Sequence, residues 1–531
     1  MGVPSYFSYL IRNHKDMLIK LFNFKKEINN LYFDSNSIVY DVLRMLLKDY
    51  ESYKNDEKFE DDLILGVCKQ LDLYIDEIKP NNKVFIAFDG VAPVAKLEQQ
   101  RSRRYKSMIE KKIYNKLFGE KNEWNKTAIT PGTNFMDKLN KGVRNYYKGK
   151  EKSYNIKQFI FSGSDEPGEG EHKLFQHIRD NAKRHEKEVT VIYGLDADLI
   201  MLCLNHLRIS KQIYLYRETP EFVKSINSSI NPNESYLLDI PLLSQEIIIE
   251  MNNGKKPSSK QETNKLYDYI FLCFFMGNDF LPHFPSMNIR TNGIDIMLGA
   301  YKHISKSEKL NLTNGSKIYW KNVRKLIKFL AENEYSNLIN EYKIREKWEK
   351  RSFPSKTDED KKNRYMCIPI KNRTIEKYID PYNSMWQKRY YEILFNNTDS
   401  NYFKKQVSLN YMEGLEWVMN YYTTGCLDWR WSYNYNYPPL LNDLIRFVPS
   451  FDSKMIKDNN HSPVSRKVQL SYVLPPESLP LIPIIGSKLQ DEFPHFYEDS
   501  PNMIWAYCKY IWEAHLELPH INLEELEEFV N

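Results

Sequence analysis

Short apolar runs alternate with longer amphipathic segments through the first half of the chain. The runs at residues 30–33, 84–88, 157–162 and 189–193 are short, apolar and partly β-branched, which is typical of buried strands. Between the first two, apolar residues recur at helical spacing over residues 61–78. Strands that alternate with helices predict an α/β fold, in which helices flank a mostly parallel sheet.

The second half of the chain has a different pattern. Charge density is highest at residues 346–375, where apolar periodicity is weak and two prolines occur, as is typical of a linker. Beyond it, tyrosine and tryptophan become frequent, most densely at residues 421–437. We therefore predict a core at residues 1–345, a charged linker at 346–375 and a helical, aromatic-rich second region at 376–531 that packs on the core.

Carboxylates follow the ends of the predicted strands and of one apolar helix. Open α/β sheets place their chemistry at the carboxyl ends of strands, so these acids are candidates for one shared site. Like charges packed together need counter-ions, and oxygen ligands favour Mg²⁺ or Mn²⁺. A single such acid is more simply a helix N-cap or a solvated side chain, but acids at four separate ends favour a shared site. The candidates are Asp34, Asp89, Glu169, Glu171, Asp196, Asp198 and Asp279.

A cationic helix face follows the second predicted strand. Pro93 suits the first position of a helix, because its missing N–H would be unpaired there in any case. Four polar residues then recur at i, i+4, i+7 and i+8, so they share one face. Arginine forks bind phosphate, which makes this face a candidate phosphate site; the alternative is a solvated basic face. The four residues are Lys96, Gln100, Arg103 and Arg104.

Composition narrows the class of protein. The net charge of 531 residues is only +5, so nucleic-acid binding would depend on local basic patches. Six cysteines without a CxxC pair argue against a zinc ribbon or a disulfide framework and favour a reducing compartment. No apolar run is long enough to span a bilayer. We expect an intracellular protein in the cytoplasm or nucleus, or in a host cytoplasm if the source is a virus.

Several longer motifs carry a family resemblance. The first half contains MGVPSYF, NLYFDSNSIVY, FIAFDGVAPVAKLEQQRSRRYK, TPGTNFM, PGEGEHK, YGLDADLIMLCL and GNDFLPHFP, in that order. The second half contains YMEGLEWVMNYY, WRWSYNYNYPPLLND and VLPPESLPLIP. Together these motifs resemble the Xrn-type 5′→3′ exoribonucleases, which are relatives of the flap endonucleases with a PIN-like nuclease core. The resemblance covers nearly the whole chain.

The resemblance implies a function and a set of roles. The seven acids would hold two Mg²⁺ ions, with Mn²⁺ as a substitute, and the chain would degrade single-stranded RNA processively to nucleoside 5′-monophosphates. The face at Lys96, Gln100, Arg103 and Arg104 would bind the 5′-monophosphate. Tyr40 stands where the family has a base-stacking histidine, and Trp429 or Trp431 matches a second base-stacking residue. We also expect a monomer without membrane association; the sequence does not indicate protein partners.

Two alternatives stay open. The first is a structure-specific or DNA 5′-nuclease of the same superfamily, which a comparison of RNA with DNA substrates separates. The second is a catalytically silent RNA-binding module that uses the aromatic region. Clustered carboxylates repel phosphate, so the intact set of acids argues against this second alternative.

Overall fold

A seven-stranded sheet lies at the centre of the first half of the chain. The computed structural model describes residues 5–120, 123–217, 230–231, 233–305, 310–397, 400–457, 459 and 461–531, so most of the MGVPSYF motif lies outside it. The strands are β1 (Leu18–Lys20), β2 (Asn30–Asp34), β3 (Lys83–Ala87), β4 (Gln158–Ser162), β5 (Val189–Tyr193), β6 (Gln212–Arg217) and β7 (Tyr236–Asp239).

The sheet is mostly parallel, which confirms the predicted fold class. Its strand order is β1-β7-β6-β5-β2-β3-β4, and the strands from β2 to β6 pair in parallel. Only the pairs that include β7 are antiparallel. From β2 the chain continues outward to β3 and β4, and then returns to place β5 on the other side of β2. Open sheets bind ligands where the strand order reverses in this way, at the carboxyl ends of the strands.

Helices cover both faces of the sheet, as the continuous apolar strands require. On one face, side chains of the second, third and fifth helices share a core cluster with Leu31, Val84 and Val191. On the other, His177 of the sixth helix contacts the rings of Tyr32 and Phe85. The helices are α1 (Tyr6–Asn13), α2 (Asn36–Leu46), α3 (Asp56–Ile78), α4 (Val94–Phe118), α5 (Asn134–Tyr147), α6 (Gly170–Asp180), α7 (Ala182–His185) and α8 (Ala197–His206).

The rest of the described chain is mainly helical. A short ribbon pairs β8 (Met503–Ile504) with β9 (His515–Leu516). The helices are α9 (Ile240–Met251), α10 (Lys260–Thr263), α11 (Lys265–Phe274), α12 (Gly293–Ile304), α13 (Trp320–Glu332), α14 (Glu334–Glu349), α15 (Asp358–Met366), α16 (Ile368–Lys371), α17 (Thr374–Ile379), α18 (Trp386–Phe395), α19 (Asn401–Thr423), α20 (Leu441–Phe447), α21 (Arg466–Val473), α22 (Gly486–Glu492) and α23 (Leu523–Val530).

The charged segment 346–375 also contains helices, although its sequence lacks apolar periodicity. In α15, no residue is buried, and a capping box between Thr357 and Asp360 satisfies N–H groups at its start. Such a helix depends on capping rather than on an apolar face, so hydrophobic periodicity does not reveal it.

The chain divides into two compact units. The sheet unit contains Phe7–Glu246, Asn460–Asp499 and Pro519–Asn531, and the helical unit contains Met1–Tyr6, Ile247–Asn459 and Ser500–Leu518. These limits do not follow the predicted boundaries at residues 345 and 375. The reason is that apolar residues of α21 and α23 share a core cluster with Val94 and Leu97 of α4, which returns the end of the chain to the sheet unit.

None of the helices in the described ranges combines the length and the apolar character that a membrane span requires.

The helical unit contains a buried ion-pair network from which we predict a large stability effect. Fully buried Arg345 donates to both carboxylate oxygens of Glu376 and to the Cys508 carbonyl, and Arg373 donates to the same carboxylate. Arg345→Ala removes the bidentate partner of a buried carboxylate and leaves it with Arg373, so it should lower the unfolding free energy by about 3–5 kcal/mol in denaturant titrations. Lys361→Ala, which breaks an exposed pair, should cost less than about 1 kcal/mol. Equal losses would contradict the argument.

Candidate functional site

Asp34 and Asp89 lie side by side where β2 and β3 end. Asp34 is the last residue of β2 and pairs with Ala87 of β3, two residues before Asp89. Asp89 Oδ2 accepts from Asn36 Nδ2 at 2.6 Å, and its backbone N–H donates to Asn36 Oδ1 at 3.1 Å. Its Oδ1 accepts from the Gly170 N–H at 2.7 Å. Two hydrogen bonds to its oxygens and one from its backbone N–H therefore fix the orientation of this residue.

Glu169 and Glu171 stand at the start of α6, on either side of a glycine that approaches Asp34 closely. A Cβ on Gly170 would lie 2.6 Å from Asp34 Oδ1, so only glycine fits without displacement. Glu169 occupies the N-cap position, but its side chain accepts no N–H of the helix. It pairs instead with Lys96 Nζ at 2.6 Å. Glu171 is buried, and its Oε2 has no hydrogen-bond partner among the described residues.

Asp196 and Asp198 stand at the start of α8. Asp196 is exposed at the N-cap position, but it makes no side-chain capping bond, whereas Asp198 is buried. A Cβ on Gly194 would collide with Leu199 and lie 3.6 Å from Asp34 Cβ, so this glycine brings the end of β5 against the end of β2. The alternative that these acids are simple helix N-caps therefore fails for Asp196, as it does for Glu169.

The six carboxylates of the sheet unit act on one another electrostatically. Desolvation raises the pKa of Asp34 well above its ordinary value, and the charges of Asp89, Asp196 and Glu169 raise it further. Desolvation likewise raises the pKa of Glu171, with Asp198 as the strongest neighbouring charge. Lys96 partly offsets both shifts. We call this group the acid cluster: Asp34, Asp89, Glu169, Glu171, Asp196 and Asp198.

Asp279, the seventh predicted acid, belongs to the helical unit. It is half-buried in the bend that follows α11 and the left-handed Gly277. Its membership of the metal site stays a prediction.

The sequence analysis missed polar residues that hold the acids in place. Lys173 Nζ donates to the carbonyls of Phe88 at 2.8 Å and Gly163 at 2.7 Å, so it ties α6 to the ends of β3 and β4. Buried His172 forms, with Glu169 and Glu171, a group whose ligand atoms all lie within 4.8 Å of one another. Both residues end the motif PGEGEHK, in which the sequence predicts no metal ligand beyond the acids because the spacing of the histidines fits no metal cluster. Asn36, which binds Asp89, likewise stands close to a predicted acid in the sequence, two residues after Asp34.

The four residues of the predicted phosphate face have different surroundings. Lys96 is buried and belongs with the acid cluster through its pair with Glu169. Gln100 is half-buried and Arg103 is exposed. Arg104 Nη2 donates to Thr130 Oγ1 at 2.8 Å and to a backbone carbonyl, which fixes its guanidinium, while its buried Nε has no hydrogen-bond partner among the described residues. Gln100, Arg103 and Arg104 are thus the members that α4 offers to a ligand.

The candidate stacking residues lie in both units. Tyr40 of α2 is half-buried and packs against the core cluster of the sheet unit. In the helical unit, Trp431 stacks on Trp417 with ring centroids 5.2 Å apart, and Trp417 stacks on Tyr421 at 4.7 Å. Trp429 is half-buried. The three stacking roles stay predictions.

Comparisons with known proteins identify the family. Residues 1–219 match the family model described as the XRN 5′-3′ exonuclease N-terminus. Residues 260–381 and 371–531 match the model described as the Xrn1 helical domain. The chain belongs to the XRN family of 5′-3′ exonucleases. Most of the residues in the first match lie in the sheet unit. The two matches confirm the resemblance to the Xrn-type exoribonucleases.

XRN relatives extend over nearly the whole chain. The 5′-3′ exoribonuclease 2 of Debaryomyces hansenii is 26% identical over 99% of this chain and 69% of its own length. The 5′-3′ exoribonuclease 2 of Gallus gallus is 25% identical, again over 99% of this chain and 69% of its own length. The 5′-3′ exoribonuclease 1 of Saccharomyces cerevisiae is 26% identical over 91% of this chain but only 40% of its own length.

The electrostatics of the acid cluster predict that a neutral substitution stabilises the metal-free protein. The pKa of Asp34 is raised on folding, so above its ordinary value of 3.8 the folded protein binds more protons than the unfolded chain, and stability falls as the pH rises. Asp34→Asn should therefore raise the unfolding free energy in EDTA, and more at about pH 8 than at about pH 5.

The matched control for this prediction is Asp61→Asn on α3. Asp61 is exposed, so the same change of charge should alter the unfolding free energy by less than about 0.5 kcal/mol. An Asp34→Asn variant that is less stable than the wild type at both pH values would show that repulsion does not dominate at this carboxylate.

Proposed function

We propose that this protein is a Mg²⁺-dependent 5′→3′ exoribonuclease that starts at a 5′-monophosphate and degrades single-stranded RNA processively to nucleoside 5′-monophosphates. The observation that carries the proposal is the acid cluster, which gathers six carboxylates where the strand order reverses, and to which Lys96 of α4 is paired. Relatives named 5′-3′ exoribonucleases support the polarity and the choice of RNA.

The acid cluster fits divalent cations. Its donors are carboxylate oxygens, which Mg²⁺ and Mn²⁺ prefer, and the buried Oε2 of Glu171 has no protein donor within the described ranges. Two ions, when bound, would neutralise the carboxylates and stabilise the charge that develops on the phosphodiester oxygens. The ligands from the sheet unit would be Asp34, Asp89, Glu169, Glu171, Asp196 and Asp198.

Neighbouring side chains orient these ligands in advance. Asn36 and the Gly170 N–H hold Asp89, and Lys96 holds Glu169. Partners of this kind fix the direction in which a carboxylate offers its oxygens. Lys96 therefore contributes to the acid cluster rather than to direct recognition of the 5′ end, which refines the role that the resemblance implies.

Gln100, Arg103 and Arg104 would bind the 5′-phosphate. A terminal monophosphate carries close to two negative charges near neutral pH, and arginine meets it with charge-assisted hydrogen bonds. Arg104 is suited to this role because its contact with Thr130 fixes the guanidinium while its Nε stays available. Stacking on Tyr40 and on Trp429 or Trp431 would hold successive bases without sequence preference, as processive degradation requires.

The metal proposal predicts that Asp198→Asn abolishes hydrolysis. Asp198 is buried next to Glu171, and the loss of one ligand should lower the rate on 5′-monophosphorylated RNA by more than about a hundredfold while RNA binding persists. The wild type should lose activity in EDTA and recover it with Mg²⁺ or Mn²⁺. Asp165→Asn, an exposed acid of the same segment as Glu169, is the matched control and should stay active. Activity that persists in EDTA, or faster cleavage of DNA than RNA, would contradict the proposal.

The 5′-phosphate proposal predicts a loss of end discrimination. Each charge-assisted hydrogen bond contributes about 1.5–3 kcal/mol, so removing the two guanidinium groups in the double variant Arg103→Ala/Arg104→Ala should reduce the preference for 5′-monophosphate over 5′-hydroxyl RNA by more than about tenfold. The measurement compares kcat/KM for two RNAs of identical sequence. If both rates fall while their ratio stays at the wild-type value, the face is a general backbone contact and the assignment is wrong.

A further inference from the structure

A second cationic group stands beside the acid cluster, at the end of β6. Arg217 is the last residue of β6, which pairs in parallel with β5, the strand that leads to Asp196. The Gly194 N–H donates to the Tyr216 carbonyl at 3.3 Å, so the ends of the two strands are joined up to the residue before Arg217. Arg217 thus lies at the same edge of the sheet as the carboxylates, and its charge interacts with that of Asp196.

Arg217 is buried without the partners that a buried arginine normally has. The residue is 9% exposed, and neither Nε nor Nη1 has a hydrogen-bond partner in the part of the chain that the structure describes. Its Cζ lies 3.7 Å from the centroid of the Phe7 ring, which orients the guanidinium plane but accepts no N–H in its plane. Buried charged groups are normally paired and hydrogen-bonded, so the unpaired donors indicate a ligand.

The charge of Arg217 identifies the class of that ligand. Burial lowers its pKa to about 10, and the charge of Asp196 opposes the shift, so the group stays cationic at neutral pH. A planar guanidinium with free N–H donors matches an anion with several acceptor oxygens, and phosphate is the anion that an RNA-degrading site must hold.

Sheet order separates this group from the residues of α4. The strands run β6-β5-β2-β3, and α4 follows β3, so Arg217 and α4 lie on opposite sides of the acid cluster. Three inter-strand spacings place the ends of β6 and β3 about 14 Å apart. A 5′-phosphate bound by α4 would thus lie across the acid cluster from Arg217, which leaves Arg217 to another phosphate of the same strand.

We propose that Arg217 binds an internal backbone phosphate of the RNA, on the side of the acid cluster opposite to α4. The proposal rests on the proposed function, since it takes RNA as the ligand. Its consequence is that Arg217 contributes equally to RNAs with and without a 5′-phosphate, whereas Arg103 and Arg104 discriminate between them.

The test measures RNA binding rather than turnover. The full chain, in Ca²⁺, is titrated with a short single-stranded RNA carrying a 5′-monophosphate or a 5′-hydroxyl over a range of NaCl concentrations, and a gel checks that the RNA stays intact. Arg217→Gln should weaken binding of both RNAs by roughly ten- to hundredfold. The slope of log K against log[salt] is negative, and its magnitude should decrease by about 0.7, as expected for the loss of one phosphate contact on a single strand. The affinity ratio of the two RNAs should not change.

Arg208→Gln is the matched control, because Arg208 is exposed and precedes β6 at its opposite end. This control should keep the affinity and the slope of the wild type. Arg217→Lys keeps the charge but loses the planar fork of N–H donors. It should therefore keep the wild-type slope and bind RNA several-fold more weakly. This variant also replaces Arg217→Gln in the test if Arg217→Gln does not fold.

Three outcomes overturn the proposal. A folded Arg217→Gln variant with the wild-type slope would make Arg217 a structural residue that packs on Phe7. A loss confined to the 5′-monophosphorylated RNA would assign Arg217 to the terminal-phosphate site. A folded Arg217→Lys variant with wild-type affinity would show that the planar guanidinium does not bind the phosphate. A wild type that binds RNA but does not degrade it would contradict the proposed function alone, because the binding comparison does not depend on turnover.

Discussion

Repulsion among desolvated carboxylates is the constraint on which the nuclease half of this protein depends. Folding brings Asp34 against Gly170 and Gly194, and only residues without a side chain allow the ends of β2 and β5 and the start of α6 to approach so closely. The raised pKa values of Asp34 and Glu171 reflect the free energy that is needed to keep these carboxylates charged in the folded protein. The sheet must therefore supply enough stability elsewhere to tolerate a centre in which desolvated carboxylates repel one another.

Part of that support comes from the end of the chain. The Ala92 N–H, in the turn between Asp89 and α4, donates to Gln469 Oε1 at 3.0 Å. Arg101 of α4 is fully buried and donates to the carbonyls of Phe496 and Pro519. Residues 460–499 and 519–531 thus hold the turn and the helix that present Lys96 and Arg104, although they lie hundreds of positions away in the sequence. A rigid support of this kind keeps the polar side chains of α4 at a fixed distance from the acids.

The sequence predicted the sheet and six neighbouring acids because both depend on local patterns. Apolar runs mark buried parallel strands, and an acid such as Asp34 or Asp89 directly after a run must lie at the carboxyl edge. What the pattern could not predict depends on tertiary contacts. Helix periodicity placed Lys96 on one face with Arg104, but only the fold reveals that a carboxylate of a distant helix neutralises it. Helices without an apolar face, such as α15, also leave no periodic signal.

Cationic residues flank the acid cluster on both sides. The site can therefore attract the phosphates of RNA through these residues, although its carboxylates repel phosphate. Arg103 and Arg104 stand on one side and Arg217 on the other, while the net charge of the whole chain is only +5. Local fields, not the global charge, therefore govern the approach of a polyanion. An RNA held at two phosphates across the strand ends would have the intervening linkage over the carboxylates, where the proposed cations would replace repulsion with attraction. The spacing of the flanking cations, fixed by the strands between them, would then determine which linkage lies there.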